Sequence, residues 1–360
     1  MRKLFRRSTA LALSAVVMAG LAVFIVASAT ASTKHRAAGV QVCVLLPDTK
    51  SSVRWVQFDA PLLKASFAKA GVTASITNAL NDPQKQKAQA QACLAAGAKV
   101  VIETSLDNGS ASAIEKSFTS KGGFAIDYDR QVKGGTASVY VTFDGNAVGR
   151  GQAKLVVNGL KAEGKYGSKP VVAELWGGQT DENAFWFKSG NDDILNPLFK
   201  AGTLTKGPQQ FVPGWLATNA GPIFSQMLVK TGSKIDAAVA ANDNIAGAIV
   251  ATLKAKHLKP IPLSGQDATV QGAQYIISGW QTGTVYKPVP LEANAAAAAA
   301  IALVKGQKPK SNGFRMNGSK KEPTLALPVT LITKKNINRL YTDKFIKKSD
   351  VCVGEFKKYC

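Results

Sequence analysis

The stretch GVQVCVLLPDTKSSVRW at residues 39–55 decides the fold. Its first half is a short apolar run rich in valine and leucine, which is typical of a strand buried on both faces. The chain then turns polar at Asp48, and residues 55–70 form an amphipathic segment that stops at Gly71, as a helix does. A buried strand, a polar loop and a helix make up the first unit of an α/β sheet.

Strand-like and helix-like segments go on alternating along the chain in two series. The first series has further strand-like runs at 72–79, 99–105 and 123–129. The pattern restarts after 137–144, with strand-like runs at 170–178, 236–243, 261–267, 282–288 and 328–333. Alternation of this kind predicts parallel sheets covered by helices on both faces. We therefore predict an α/β protein of two doubly wound parallel-sheet lobes joined by a hinge.

Length and composition agree with two lobes. A chain of 360 residues with 46% hydrophobic content can bury two sizeable cores. The predicted N-terminal lobe comprises 39–144 and 268–322, and the predicted C-terminal lobe comprises 145–267 and 323–346. Residues 347–360 are predicted to form a basic tail, and 134–135, 312–318 and the chain after 334 resemble linkers.

The N-terminus has the pattern of an export signal. Four basic residues within 2–7 precede an apolar run at 10–27, and Ala29-Thr30-Ala31 supplies the small residues of a cleavage site. We expect residues 1–31 to be a cleaved signal peptide; an uncleaved anchor is the alternative, because the apolar run is long. No cysteine lies near the cleavage site. The protein is therefore expected in the periplasm or outside the cell envelope, and not as a lipoprotein.

The net charge of +22 raises the question of an acidic partner. The expected signal carries four of these charges and no acid, which leaves +18. A strongly basic protein suggests nucleic acid or an anionic surface. Export removes the protein from nucleic acid, and no stretch interleaves aromatics with arginine as single-strand binders do. We expect a solvated lysine coat and no nucleic-acid partner.

Four cysteines remain, Cys43, Cys93, Cys352 and Cys360. In an exported protein an even number permits two disulfides. If the strand order begins 2-1-3, right-handed connections carry the second helix over the first strand, which places Cys93 above Cys43. Cys352 and Cys360 lie close together in the tail. Buried free thiols are the alternative for Cys43 and Cys93.

Polar and aromatic residues follow nearly every predicted strand. Ligands of open α/β sheets bind beyond the carboxyl ends of the strands, and two such sheets that face each other form a cleft. The candidate binding residues at these positions are Arg54, Trp55, Asp129, Arg130, Asp181, Asn183, Trp215, Asn242, Asp267 and Lys287.

This set suits an uncharged monosaccharide. The indoles of Trp55 and Trp215 would stack on the apolar faces of the ring, and the hydroxyls would meet aspartate acceptors, arginine and lysine donors, and asparagine, which does both. Each residue also has a structural alternative. The two indoles could pack in the cores, Asp243 and Asp267 could cap helices, and Asp129–Arg130 could be a surface ion pair.

The combination of short motifs resembles a known family. In order along the chain they are DTKSSVRW, IDYDR, TFDG, GGQTDENA, NDNIAGA, SGQDATVQG and TVYKP. Together they resemble the periplasmic xylose-binding protein family and its multiple-sugar-binding relatives, within the type I periplasmic binding proteins. The resemblance runs from about residue 40 to about 333. The chain departs from the family at Gln57 and Phe58, where many relatives carry a lysine or another polar residue.

The resemblance implies a function and a site. The family's ligand contacts fall on the ten candidate residues, and the partner it implies is a membrane permease of the ABC type. We expect a monomer with no cofactor and no metal ion. The chain has two histidines, no zinc-ligand spacing and no calcium loop of the D-x-D-x-D-G type.

Three functions are compatible with these residues. The first is the solute-binding component of a sugar importer, and the second is a sensor that presents sugar to a membrane chemoreceptor or sensor kinase. The third is a glycosidase, which needs paired carboxylates such as Asp129, Asp181 or Asp267. Basic neighbours would keep those acids ionised, which favours binding over acid catalysis. The preferred sugar, its affinity and the identity of the permease or receptor stay open.

Overall fold

The computed structural model describes residues 39–360. The predicted signal peptide and its cleavage site therefore lie outside the described residues. Across residues 39–360, no helix combines the length and the apolar character needed to span a membrane.

A seven-stranded sheet forms the first lobe. In spatial order its strands are β10 (Gly313–Asn317), β11 (Lys320–Leu327), β5 (Val139–Phe143), β4 (Phe124–Tyr128), β3 (Val100–Glu103), β1 (Val42–Leu46) and β2 (Ala74–Asn78). Neighbouring strands are parallel except in the β10–β11 hairpin. The apolar run that opens the chain is β1, the strand between β2 and β3, and all of its residues are buried. The order 2-1-3, which the sequence argument assumed as a condition, is the order in the structure.

Helices cover both faces of this sheet. Helices α1 (Ala60–Lys69) and α9 (Val289–Val304) pack on one face, and α2 (Pro83–Ala95) and α3 (Asn108–Thr119) pack on the other. Asp82 caps α2 by accepting hydrogen bonds from two backbone N–H groups, and proline occupies the first helical position, where it needs no donor. The crossover of α2 brings Cys93 to Cys43, and the two form a disulfide, as predicted.

The second lobe has a smaller sheet. Its central strands are β7 (Thr205–Phe211), β6 (Val171–Trp176) and β8 (Ala237–Ala240), all parallel. Single parallel bridges at Leu263 and Gln266 lead to β9 (Gly283–Tyr286), which pairs antiparallel with β12 (Thr330–Thr333). Its helices are α4 (Gly145–Ala162), α5 (Glu182–Lys200), α6 (Ala217–Lys230), α7 (Asp243–Ala255) and α8 (Val270–Ser278). The strand predicted at 261–267 is thus reduced to isolated bridges, and β7, a largely exposed polar strand, was not predicted.

Three short connections cross between the lobes and correct the predicted boundaries. They follow β5, β9 and β11, at 144, 287–288 and 328–329. Residues 268–286 belong to the second lobe, because β9 pairs with β12 and bridges to Gln266. Residues 323–327 belong to the first lobe, because β11 pairs with β5. The glycine- and asparagine-rich stretch 312–318, which resembled a linker, is mostly the edge strand β10.

The chain that follows β12 is folded against both lobes. Helices α10 (Asn338–Thr342) and α11 (Lys348–Val351) follow β12, and Cys352 and Cys360 form the predicted disulfide. Phe345 stacks on Phe58 of the first lobe at 4.5 Å and lies 4.8 Å from the ring of Tyr286 in the second. Phe58 thus packs the first lobe against the segment that follows β12.

Four buried acidic side chains meet in the first lobe: Glu103, Glu115, Asp127 and Glu322. The carboxyl of Asp127 lies beside those of Glu115 and Glu322, and Glu115 also faces Glu103. Two carboxyls can share a hydrogen bond only if one of them holds a proton. Within residues 39–360 no lysine or arginine forms an ion pair with any of the four. Burial first, and then the neighbouring acids, raise the pKa of Glu103 and of Asp127 well above the ordinary value.

The acid cluster predicts that the protein loses stability as the pH rises. A carboxyl whose pKa is raised by folding binds its proton more tightly in the folded state, so the free energy of unfolding falls once the pH exceeds the ordinary value of about 4.3. Each pKa unit is worth about 1.4 kcal/mol. We expect urea denaturation to give a lower free energy of unfolding at pH 8.5 than at pH 5.5.

The variant Glu103→Gln isolates this effect. Both carboxylate oxygens of Glu103 are buried and without a hydrogen-bond partner, so the amide sacrifices no existing bond. The difference in unfolding free energy between the two pH values should shrink by about 1–2 kcal/mol. Glu163→Gln, at an exposed position, should keep the wild-type difference. An unchanged pH dependence in Glu103→Gln would show that this carboxyl stays ionised in the folded protein.

Candidate functional site

One cavity between the lobes is lined by all ten side chains that the sequence singled out. They are Arg54, Trp55, Asp129, Arg130, Asp181, Asn183, Trp215, Asn242, Asp267 and Lys287. The space not occupied by protein atoms in and at the mouth of this cavity is about 300 Å³, open solvent included. It lies at the carboxyl ends of the strands of both sheets, where ligands of such sheets bind. The role of these ten side chains as ligand contacts stays a prediction.

Direct hydrogen bonds join the two lobes around this cavity. The side-chain amide of Asn183 donates to the carbonyl of Asp129 at 2.7 Å, and that of Asn242 donates to the carbonyl of Ser51 at 3.1 Å. Each bond links a residue of the second lobe to one of the first. The lobes are therefore closed over the cavity.

A π-helical turn at Trp55–Asp59 presents Arg54 and Trp55. The wide turn brings the carboxylate of Asp59 back to Arg54, where it accepts hydrogen bonds from Nε at 2.9 Å and from Nη2 at 2.7 Å. Single turns of this kind occur often at functional sites. The sequence predicted an ordinary helix here, and so the role of Asp59 was not predicted.

Trp55 belongs both to a core and to the cavity. Its side chain is buried in the cluster that includes β1 and α1, as the structural alternative proposed. Its ring also lines the cavity, with the guanidinium of Arg54 4.5 Å from the ring centre and that of Arg130 at 5.7 Å. Cation–π contacts of this kind fix the orientation of both groups.

Asp129 occupies the centre of the charged groups. Its backbone has φ of +64°, an uncommon conformation for a residue with a side chain, and Tyr140 and Thr142 hold it by donating to its carbonyl. Its carboxylate accepts from Arg54 at 2.7 Å and from Lys287 at 3.2 Å. Burial raises the pKa of Asp129, but Lys287 and Arg54 outweigh it and hold the pKa below the ordinary value. The surface ion pair that the sequence allowed is excluded, because Asp129 and Arg130 are buried.

Arg130 pairs across the cleft with Asp181. Its Nε lies 3.0 Å from Oδ2 of Asp181, in a geometry too bent for a hydrogen bond, and its Nη1 donates to the carbonyl of Ser105 at 3.0 Å. Asp181 also caps α5 by accepting from the N–H of Asn183. Burial raises the pKa of Asp181 to about 6, against the lowering effect of Arg130. The sequence predicted that basic neighbours hold Asp129 and Asp181 ionised. At Asp181 burial opposes ionisation, but its pKa still lies below neutral pH.

Trp215 reaches the cavity from a sharp turn. Gly214 and Trp215 both have positive φ, at +62° and +61°. The ring passes so close to Gly177 that a Cβ on that glycine would lie 2.1 Å from a ring carbon. Phe187 contacts the ring edge-on, with 6.0 Å between ring centres. Like Trp55, Trp215 is part of a core cluster and of the cavity wall.

Lys287 lies in the second connection between the lobes. Its ammonium group is 3.2 Å from Asp129 of the first lobe and 3.6 Å from Asp267 of the second. Asp267 has φ of +90° and accepts from the hydroxyl of Ser52 at 3.0 Å. The cap of α8 is Thr269 and that of α7 is Asn242, so the alternative role of Asp243 and Asp267 as helix caps is wrong.

Several polar atoms in the cavity wall make no hydrogen bond within the protein, although two of them lie in ion pairs, Nε of Arg130 with Asp181 and Oδ1 of Asp267 with Lys287. Among the described residues these are the indole N–H of Trp215, Oδ1 of Asp267, Oε1 of Gln266 and Nε of Arg130. Buried polar groups are nearly always hydrogen-bonded. Donors and acceptors left open in one cavity suit a ligand that offers both.

Four residues of the cavity wall were not predicted: Ser51, Ser52, Phe187 and Gln266. The two serines lie two and three positions before Arg54, and Gln266 lies directly before Asp267, all within the quoted motifs. The position after a strand was therefore a usable signal. Phe187 lies one turn inside α5, where its apolar side chain is indistinguishable from a core residue by sequence.

Comparison with known proteins gives a family. The family model described as "Periplasmic binding protein domain" matches residues 42–308. The D-xylose-binding periplasmic protein of Escherichia coli is 32% identical over 303 residues, which cover 83% of this chain and 88% of that protein.

Solved structures show the same fold. An ABC transporter solute binding protein from Clostridium phytofermentans with bound β-D-glucose superposes with a TM-score of 0.80 at 24% identity, covering 86% of this chain and 99% of that one. A carbohydrate transporter solute binding protein from Chloroflexus aurantiacus, in complex with D-glucose, has a TM-score of 0.78 at 27% identity, covering 86% of this chain and 98% of that one.

Proposed function

The chain belongs to the family of periplasmic binding proteins that includes the D-xylose-binding proteins, and we propose that it is the extracytoplasmic solute-binding protein of an ABC sugar importer. In this proposal it binds one monosaccharide between its lobes and releases it to a membrane permease. It acts as a monomer and performs no reaction on the sugar.

The observation that carries the proposal is the composition of the closed cavity. Two indoles and a mixed set of buried donors and acceptors converge on it from both lobes. The charged groups already pair with one another, which suits an uncharged ligand that needs hydrogen bonds and not a counter-ion. A ligand held from both lobes stabilises the closed form over the open one.

Within this proposal each side chain has a role. Trp55 and Trp215 contact the apolar faces of the ring. Arg54, Arg130 and Lys287 donate to hydroxyls, and Asp129, Asp181 and Asp267 accept from them. Asn183 and Asn242 contribute less, because each amide already bonds across the cleft.

The proposed ligand is D-xylose or a similar aldopyranose. The printed name of the Escherichia coli relative supports xylose, and the glucose complex of the Chloroflexus aurantiacus protein supports the wider class. Export of the chain and an ABC permease as partner follow from the same family and from the predicted signal peptide.

Calorimetric titration of the mature protein tests the proposal. We expect D-xylose to bind in a one-to-one ratio and more tightly than D-glucose, D-galactose, D-ribose and L-arabinose. A sugar that misplaces one hydroxyl leaves a buried partner empty, which costs about 1–3 kcal/mol, or roughly tenfold to a hundredfold in affinity. Another aldopyranose as the tightest ligand would change the sugar and keep the function. No heat with any monosaccharide would refute the function.

A further inference from the structure

Arg54 is held by three acidic side chains below the cavity. Asp59 accepts two of its hydrogen bonds, Asp129 accepts one from Nη1, and Glu292 accepts one from Nη2. A guanidinium carries five N–H donors. These four bonds leave one donor, on Nη1, for a hydroxyl of a ligand.

Glu292 differs from Asp59 and Asp129 in its position in the fold. It lies in the first turn of α9, directly after the connection that carries Lys287 from the second lobe to the first. Its side chain is fully buried, and its second oxygen, Oε1, has no hydrogen-bond partner among the described residues. Through its hydrogen bond, Glu292 therefore links the start of α9, which follows the connection between the lobes, to Arg54 in the cavity wall.

We propose that Glu292 is a positioning residue that holds Arg54 in its binding orientation, and that a proton on Glu292 favours closure of the lobes over the sugar. This inference rests on the proposed function, since it concerns the affinity of the same cavity.

The balance of charge around the cavity supports the protonated form. The cations are Arg54, Arg130 and Lys287, and the acids besides Glu292 are Asp59, Asp129, Asp181 and Asp267. The acids already outnumber the cations by one, so an ionised Glu292 would bury a second excess negative charge. An uncharged sugar cannot neutralise it, and burial of unbalanced charge is costly.

The groups that face Glu292 come from every element around it. They are Arg54 and Asp59 at the two ends of the π-helical turn, Tyr128 at the end of β4 with Asp129 directly after it, and Lys287 from the connection. Burial raises the pKa of Glu292 to about 8, and Asp129 and Asp59 add to this against the lowering effect of Arg54 and Lys287. Opening of the lobes would let water reach the charges at the cleft, which would tolerate an ionised Glu292 better. Closure then favours proton uptake, and sugar affinity should fall as the pH rises through about 8.

Three variants test this by calorimetry between pH 7 and pH 9.5, with whichever of D-xylose and D-glucose the wild type binds more tightly. The wild type should weaken by roughly three- to tenfold over this range. Glu292→Gln, which mimics the protonated acid, should lose this dependence and stay within about threefold of the wild type at pH 7. Glu292→Ala should bind at least about tenfold more weakly at every pH, because Arg54 loses a partner. Glu163→Ala, at an exposed position, should follow the wild type.

The outcomes separate the two proposals. Wild-type affinity in Glu292→Ala, or a full pH dependence in Glu292→Gln, would overturn the role of Glu292 and leave the proposed function standing. Absence of sugar binding by the wild type would overturn both. If Glu292→Ala does not fold, the comparison of Glu292→Gln with the wild type decides by itself.

Discussion

Replacement of Asp129 by alanine is expected to weaken sugar binding by at least about a hundredfold. Its carboxylate is buried and accepts hydrogen bonds from Arg54 and from Lys287, which come from the first lobe and from a connection between the lobes. Removal of one partner from a buried charged pair costs about 3–5 kcal/mol, because the other charge stays buried and unpaired. Arg54 and Lys287 each lose one of their acidic partners here, and the sugar loses an acceptor.

Calorimetry on folded protein checks this expectation. Asp193→Ala is the matched control, since Asp193 forms only an exposed ion pair with Arg150, and such pairs contribute little. Asp129→Asn keeps the shape and removes the charge, and should lie between the wild type and Asp129→Ala. The apo variants should unfold cooperatively, so that lost binding is not lost folding. Affinity within a few fold of the wild type in Asp129→Ala would place the sugar elsewhere.

Much of the architecture could be predicted because strong patterns encode it. The valine-rich run of β1 is buried on both faces, and with β1 between β2 and β3 the right-handed connection carries α2 over β1. The same reasoning predicted the Cys43–Cys93 disulfide. The prediction was wrong for segments without an apolar pattern. Strand β7 is polar and largely exposed, and β10 lies in a stretch whose glycine and asparagine content resembles a linker.

The predicted lobe boundaries were wrong for a related reason. Local sequence indicates where an element begins and ends, but it does not say which sheet the element joins. The unit made of α8 and β9 adds to the second sheet through a single bridge from Gln266 to Val285. Such pairing depends on contacts between residues distant along the chain, which no local pattern records.

The candidate site was predictable where position and chemistry coincide. All ten predicted side chains line one cavity, since residues after parallel strands meet at one edge of a sheet. The residues that support them were not predicted. Asp59 reaches Arg54 from the end of a π-helical turn, where an ordinary helix was expected. Glu292 reaches Arg54 from α9, which the sequence placed in the first lobe without indicating that it approaches this arginine. Supporting residues need the tertiary structure to be recognised.

Trp215→Ala should weaken sugar binding by about thirtyfold or more, and it should also lower the free energy of unfolding by about 3–5 kcal/mol, because the ring is part of a core cluster. A central tryptophan in a binding site typically contributes at least about 2 kcal/mol. This expectation alone does not show that the position of the ring matters, because the substitution also removes apolar area. A substitution that moves the ring without removing it separates the two effects.

Gly177→Ala is that substitution. Its Cβ would lie 2.1 Å from one carbon of the Trp215 ring and 2.2 Å from another, and the backbone of Gly177 is not left-handed, so the steric effect is isolated. The ring must shift, and affinity should fall nearly as far as in Trp215→Ala. Gly178→Ala, whose Cβ would lie 3.3 Å from the same side chain, should cost less.

The double variant Gly177→Ala/Trp215→Ala completes the cycle. The three atoms nearest to the added methyl group all belong to the Trp215 ring, and without the indole these overlaps are gone. The double variant should then bind as Trp215→Ala does. The coupling between the two positions should then approach the full loss caused by Gly177→Ala. Fully additive losses in calorimetry would mean that Gly177 acts on the sugar by another route. Wild-type affinity in Gly177→Ala would mean that the position of the Trp215 ring does not determine binding.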